Sequence, residues 1–203
     1  QLMNMLPVKS YKKATQALNF FAVKKDGRIN KMKAIKLIFL ADKLHLRKYG
    51  RLIIGDSYLA MKFGPVGSQT KNIAELSDRL PKEISIYARK YIKPTLDKNT
   101  FVSVNSVDLD LFSKTDIECL NKVYDEFSDK DQFELAEITH KYPEWSKHKK
   151  VLDSGKKKSV DMNYNDFFLD ATDEKIFSQD KKVLGLSKQL FEEEKEISSF
   201  FSK

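Results

Sequence analysis

Apolar and polar positions alternate with helical spacing from residue 10 to about 25, where Ala14, Ala17, Leu18 and Phe21 share one stripe and Lys12, Lys13, Lys24 and Lys25 sit toward the ends. Ser10 is the expected N-cap of this helix, and Asp26-Gly27 turns the chain after it. A second helix is predicted from Asn30, as N-cap, to Tyr49, with Gly50 as a left-handed terminator. Met32, Ile35, Phe39 and Leu46 lie on one of its faces and Leu37, Leu40, Ala41 and Leu44 on another, so it is the expected central helix of the domain. Asp42, His45 and Tyr49, at i, i+3 and i+7, form a polar stripe that interrupts this apolar surface.

From Ile53 to Phe63 the period changes to two, which predicts a strand. Gly64-Pro65-Val66-Gly67 follows as an expected tight turn, with both glycines free to take positive φ, and Ser68 is the expected cap of a helix of about a dozen residues ending before Pro81. Residues 84–92 fit a short helix or a strand. Phe101 to Val104 is a second strand, expected to pair antiparallel with the first. Ser113 and Asp116 have capping-box spacing at the head of a helix to Phe127. A shorter helix spans 131–140, Lys156, Lys157 and Lys158 belong to an exposed loop, and an amphipathic helix runs from Ser187 to Phe201 with Leu190, Phe191, Ile197 and Phe201 in its apolar stripe. The expected fold class is therefore α+β: a mainly α-helical domain around a central apolar helix, with a small antiparallel β-sheet.

Composition narrows the classes. The chain has 203 residues, a net charge of +8, one cysteine and three histidines. A single thiol excludes an intramolecular disulfide framework and a cysteine-built zinc site. The longest apolar run, Leu37 to Ala41, is five residues, against about 20 for a membrane span. Gln1 to Pro7 is apolar but short and lacks a basic front, so the cytoplasm is the expected compartment and no membrane partner is expected. Residues 1–100 carry 21 basic and 7 acidic side chains and the remaining 103 carry 16 and 22, so charge is polarised along the chain. Lys31, Lys33, Lys36, Lys43, Arg47 and Lys48 all lie on the second helix, spread around it as a solvated or partner-facing basic surface.

Chemistry-bearing motifs are few. No phosphate-binding Gly-x-x-x-x-Gly-Lys-Ser/Thr loop is present, and Gly64-x-x-Gly67 matches the RNA-clamping Gly-x-x-Gly only in spacing, because a strand rather than a helix precedes it. Asp42 and His45, one turn apart, have the spacing of a metal ligand pair or of a carboxylate-oriented imidazole, with His140 as a distant third member. The alternative is a buried polar cluster in which Asp42 accepts hydrogen bonds from His45 and from a backbone amide or a lysine. DNA binding through the basic first half is a further reading, disfavoured because the best-defined helix is too apolar to lie in a groove.

The run Met32-Lys33-x-Ile35-Lys36-Leu37-Ile38-Phe39-Leu40-Ala41-Asp42-Lys43-Leu44-His45-Leu46, followed by Tyr49-Gly50, Gly55-Asp56-x-Tyr58 and Gly64-Pro65-Val66, strongly resembles the Panacea antitoxin domain, the SocA-like, phage-associated family. Phe112-Ser113, Leu135 and Thr139-His140-Lys141-x-Pro143-Glu144-Trp145 resemble its later segments, so the likeness spans roughly residues 10–170, with an extension over 1–9 and another over 171–203. Gly67 departs from the family, whose members often have Pro there, which implies a looser turn. The resemblance implies a non-enzymatic bacterial or phage antitoxin, without cofactor, that neutralises a cognate toxin by direct binding. One SocA-like member acts as a proteolytic adaptor for a AAA+ protease. The partner-binding candidates it suggests are Lys36, Phe39, Asp42, His45, Tyr49, Asp56, Tyr58, Phe63, Gly64, Pro65, Val66 and Trp145, with exposed Tyr49, Tyr58, Phe63 and Trp145 as aromatic anchors.

Overall fold

The computed structural model of the chain describes residues 8–171 and 175–201, so the expected N-terminal extension falls almost wholly outside it. The fold is α+β. Helix α1 (Val8–Lys24) leads through a turn at Asp26-Gly27 into β1 (Arg28–Asn30), which runs directly into α2 (Lys31–Tyr49). A hairpin of β2 (Tyr58–Met61) and β3 (Gly64–Gly67) precedes α3 (Ser68–Ala74), α4 (Lys82–Arg89), β4 (Ile92–Pro94) and β5 (Thr100–Ser103). Then come α5 (Lys114–Phe127), α6 (Gln132–His140), α7 (Pro143–Ser146), α8 (Lys149–Asp153), β6 (Ser159–Asp161) and α9 (Lys181–Phe201).

Helix α2 is the centre. Asn30 Oδ1 accepts the Lys33 amide at 3.1 Å and Gly50 closes the helix at φ 69°, the conformation that glycine adopts without steric cost. Every residue from Lys33 to Arg47 is buried, because α1, α3, α5, α6, α9 and β3 all pack around it. The core of α1, with Ala14, Ala17, Leu18 and Phe21, lies against it as the periodicity predicts.

Two small antiparallel sheets flank the helices, in the orders β1-β5-β4 and β3-β2-β6. Phe101 therefore sits in a strand, but that strand pairs with β1 (Ile29 opposite Phe101) and with β4, and not with β2 as expected. Residues 84–92 resolve into α4 and the start of β4, which pairs along β5.

The strand expected from Ile53 begins only at Tyr58, since the amides of Ile53, Ile54 and Gly55 are taken by the Asp42 carboxylate and cannot enter a ladder. Gly64 to Gly67 is not a turn but the edge strand β3, in register with β2 (Leu59 opposite Val66, Ala60 opposite Pro65). An edge position tolerates Pro65, which has no amide to donate. The turn itself is Lys62-Phe63.

Gly64 takes φ +96°, and a Cβ there would lie 2.6 Å from Thr139 Oγ1 and 2.7 Å from Lys36 Nζ. Gly67 keeps an ordinary φ of −72°. A Cβ at Gly67 would lie 2.5 Å from Asp56 Oδ2, so this glycine marks a close approach rather than a loosened turn. The cap of α3 is likewise not Ser68: the Asp56 carboxylate accepts the Gln69 and Thr70 amides at 3.1 and 2.7 Å, and the helix ends at Ala74. Helix α5 carries the expected Ser113/Asp116 capping box. Helix α9 starts six residues before the predicted Ser187 and continues through Gly185; the side chain of Phe201 lies outside the described residues.

Candidate functional site

Asp42 is fully buried and saturated. Its carboxylate accepts the amides of Ile53 (2.7 Å), Ile54 (2.8 Å) and Gly55 (3.0 Å), and the hydroxyl of Tyr58 (2.8 Å). Burial raises its pKa to about 6 although all four bonds act in the opposite direction. Amide partners were expected, but His45 is not among them. His45 Nδ1 lies 2.6 Å from the Arg51 carbonyl and must be the protonated nitrogen. Nε2 then accepts, with Thr115 Oγ1 at 2.9 Å. Burial lowers the His45 pKa, so the ring is neutral at pH 7 and its 3.2 Å approach to Asp116 is not an ion pair. Asp116 finds its counterions in Lys13 and Arg51, each at 2.8 Å. Asp42 and His45 thus belong to separate polar clusters. Among the described residues, no group of three or more His, Cys, Asp or Glu is placed to hold a metal ion.

Four of the six basic residues of α2 do not spread around it. Lys33, Lys36, Lys43 and Arg47, spaced i, i+3, i+10 and i+14, form one stripe, and that stripe is buried. Each cation secures a different segment of chain. Lys33 donates to the Ser128 carbonyl at 2.7 Å and Lys36 to the Phe63 carbonyl in the hairpin turn. Lys43 pairs with Glu144 at 2.5 Å, both fully buried, with its ammonium 4.3 Å from the Tyr142 ring centre. Arg47 donates to the carbonyls of Phe167, Leu169 and Phe177, each at 2.9 Å, and to Asp170 at 2.6 Å. These carbonyls lie in turns, loops and short 3-10 helical segments that would otherwise leave acceptors unsatisfied inside the protein. The basic surface expected on α2 therefore loses most of its charge to the interior.

Lys36 differs from Lys43 in having no carboxylate within ion-pair distance among the described residues. Desolvation alone lowers its pKa to about 7. Its ammonium lies under a groove of about 540 Å³ between the head of α2, the β2–β3 hairpin and the head of α6. Met32, Ile35, Met61 and Val66 contribute to the lining, and Phe63 and Phe133, 54% and 58% exposed, stand at it. Lys31, Lys62, Lys98 and Lys158 also line it, while Lys71 is paired with Glu75 at 2.8 Å. The groove thus offers an apolar floor, two exposed aromatic rings and a basic rim. A larger depression of about 670 Å³ lies beside α9 and is lined by Arg51, Tyr164 and Phe191 among others.

Residues 35–146, from the first turns of α2 to the end of α7, match the family model of the SocA-like antitoxin, Panacea domain. The chain belongs to this family. No curated protein and no solved structure matches it.

Most of the groove of this Panacea domain falls inside the matched stretch, including Lys36, Met61, Phe63, Val66 and Phe133, whereas the depression beside α9 draws two thirds of its lining from residues 161–198. Of the partner-binding candidates, the structure brings Lys36, Phe63 and Val66 together at the groove, with Gly64 and Pro65 in the strand behind them. Two expected aromatic anchors prove to be core. Tyr58 is 3% exposed because its hydroxyl serves Asp42, and Trp145 is 1% exposed, its indole N–H donating to the Met61 carbonyl at 2.9 Å and its ring stacked on His140. Phe39 is at the centre of an aromatic cluster with Tyr58, Tyr142 and Phe167. Tyr49 is half-buried against His45, its hydroxyl donating to Glu118 at 3.1 Å. Asp56 is buried as the cap of α3.

Phe133 escaped the sequence reading. The only signal for it was an aromatic residue two positions after the capping Asp131, on a helix too short to show an apolar stripe. The buried cationic stripe was legible in the spacing of Lys33, Lys36, Lys43 and Arg47, which share one face with Leu40.

Proposed function

We propose that this Panacea domain is the antitoxin of a toxin–antitoxin pair and neutralises its toxin by direct contact at the groove between Phe63 and Phe133. The observation that carries the reading is the pairing, within the family-matched stretch, of two aromatic rings each more than half exposed at one apolar groove. Exposed aromatic side chains next to a desolvated pocket are the usual energetic centre of a protein interface. The lysine rim selects a partner surface with acidic groups around an apolar plug. The same complex would serve delivery of the toxin to a AAA+ protease, and the toxin's half-life in cells with and without that protease separates occlusion from delivery.

Co-expression with the product of the adjacent gene tests the reading. That product should arrest growth alone and be tolerated with the wild-type chain. Phe63→Asp together with Phe133→Asp should abolish rescue while leaving the melting temperature unchanged, because neither ring is part of the core. A neighbour that is harmless by itself removes the antitoxin reading; full rescue by the double variant removes the groove.

A further inference from the structure

The second half of the chain is acidic as a whole, yet residues 141–158 hold seven lysines against two carboxylates, Glu144 and Asp153. Glu144 is buried on Lys43, while all seven lysines are exposed. Most of them lie beyond residue 146, where the family match ends. The fold gathers them. Lys147 and Lys157 both act on the partly buried His148 imidazole, whose pKa is lowered first by burial and then by these two cations. Pairing of β6 with β2 sets Ser159 opposite Met61, so Lys158 meets the hairpin beside Lys62, and both stand at the rim of the groove. Lys147 pairs with Asp166, and Lys149 with Asp153 at 2.8 Å. Among the described residues, Lys141, Lys150, Lys156, Lys157 and Lys158 have no carboxylate within ion-pair distance.

The company these lysines keep identifies the occupant. No large apolar side chain between Phe133 and Leu169 is exposed. A protein interface is built on a desolvated apolar centre and a membrane-surface helix on an apolar face, and this surface offers neither. Tyr142 and Trp145 are buried, so there is no ring on which unpaired bases could stack. Residues 141–158 contain no Arg, Asn or Gln, whose planar forked groups match base edges. What is left is a set of flexible ammonium point charges, which respond to the density of phosphate and not to sequence. Duplex DNA carries that charge at high density, about one phosphate per 1.7 Å of axis. We propose that the lysine patch around Lys150, Lys156, Lys157 and Lys158 is a docking surface for the phosphate backbone of duplex DNA, bound without regard to sequence. Apart from Lys158 it is separate from the groove on α2, α6 and the hairpin, so it stands independently of the antitoxin reading.

Fluorescence anisotropy of a labelled duplex of about 30 bp, titrated with the full chain from about 25 to 200 mM NaCl, tests this. The logarithm of the affinity should fall with the logarithm of salt at a slope of about −4 to −5, as five phosphate contacts at about 0.9 each require. A second duplex of scrambled sequence should bind within about two-fold of the first. Lys150→Gln, Lys156→Gln and Lys157→Gln combined should weaken binding at least about ten-fold at low salt and flatten the slope by about 2.7, with the melting temperature unchanged. Lys82→Gln, Lys90→Gln and Lys93→Gln remove the same charge from exposed positions on α4 and β4 and should leave binding within about two-fold. Absence of binding at the lowest salt overturns the proposal. So does equal weakening by the two triple variants, which would reduce the effect to net charge. Tighter binding of an RNA duplex, a single strand of the same length or an anionic lipid vesicle also overturns it, since each would give the patch to another partner.

Discussion

Helices α2 and α9 invert the usual partition of side chains in opposite ways. Lys33, Lys36, Asp42, Lys43, His45 and Arg47 are charged or polar and lie inside α2's packing shell, while Val183, Leu186, Leu190, Ile197 and Phe200 are apolar and lie on α9's surface. Burial of ionic groups is tolerated where each finds a partner, and α2 supplies partners by touching almost every other element. Exposed apolar groups carry no such requirement. The contrast separates what holds this domain together from what it leaves to solvent.

The largest effect expected from breaking the contrast is at Lys43. Lys43→Met strands Glu144 in the core and should cost about 3–5 kcal/mol in denaturant unfolding, and Lys43→Met with Glu144→Gln should recover most of it. A cost for the single variant as small as that of the pair would show that α2's ionic interior is dispensable. Lys36 gives a smaller, pH-dependent effect. Its native pKa of about 7 lies below the 10.5 of an unperturbed lysine, so between these values the unfolded chain binds more protons and stability rises with pH. Melting temperature should therefore climb from pH 7 to 9, and Lys36→Met should flatten the slope. Asp42 acts with the opposite sign: its pKa is raised from 3.8 to about 6, so its contribution falls as pH rises through that lower window and is constant above it. The smallest effect is at α9, where Leu186→Glu with Ile197→Glu should change stability by no more than about 0.5 kcal/mol per site. A larger loss would place that stripe in the core after all and erase the difference between the helices.

Local rules were legible where a short stretch of chain decides its own structure. Asn30 and Gly50 bound α2, and Ser113 with Asp116 caps α5, because a cap and the amides it serves lie within a few residues. They failed where a distant group competes. Asp42 removes three amides from the expected strand, Asp56 replaces Ser68 as the cap of α3, and Gly64 to Gly67 pairs as a strand since β2 offers it a ladder. At the candidate site, Lys36, Phe63 and Val66 were already named from the family-like motif, while Phe133 joins them only because α6 folds back over the hairpin, across about 70 residues of chain.

The pattern of residues alone determined the class of fold, the central place of α2 and the family, all of which depend on periodicity and on a contiguous motif. Whether a given lysine of α2 faces water or a carbonyl, whether Tyr58 and Trp145 are anchors or core, and which apolar stripe of α9 is left uncovered were decided by tertiary structure. Those outcomes depend on which segments, remote in sequence, arrive to desolvate each side chain and to partner it.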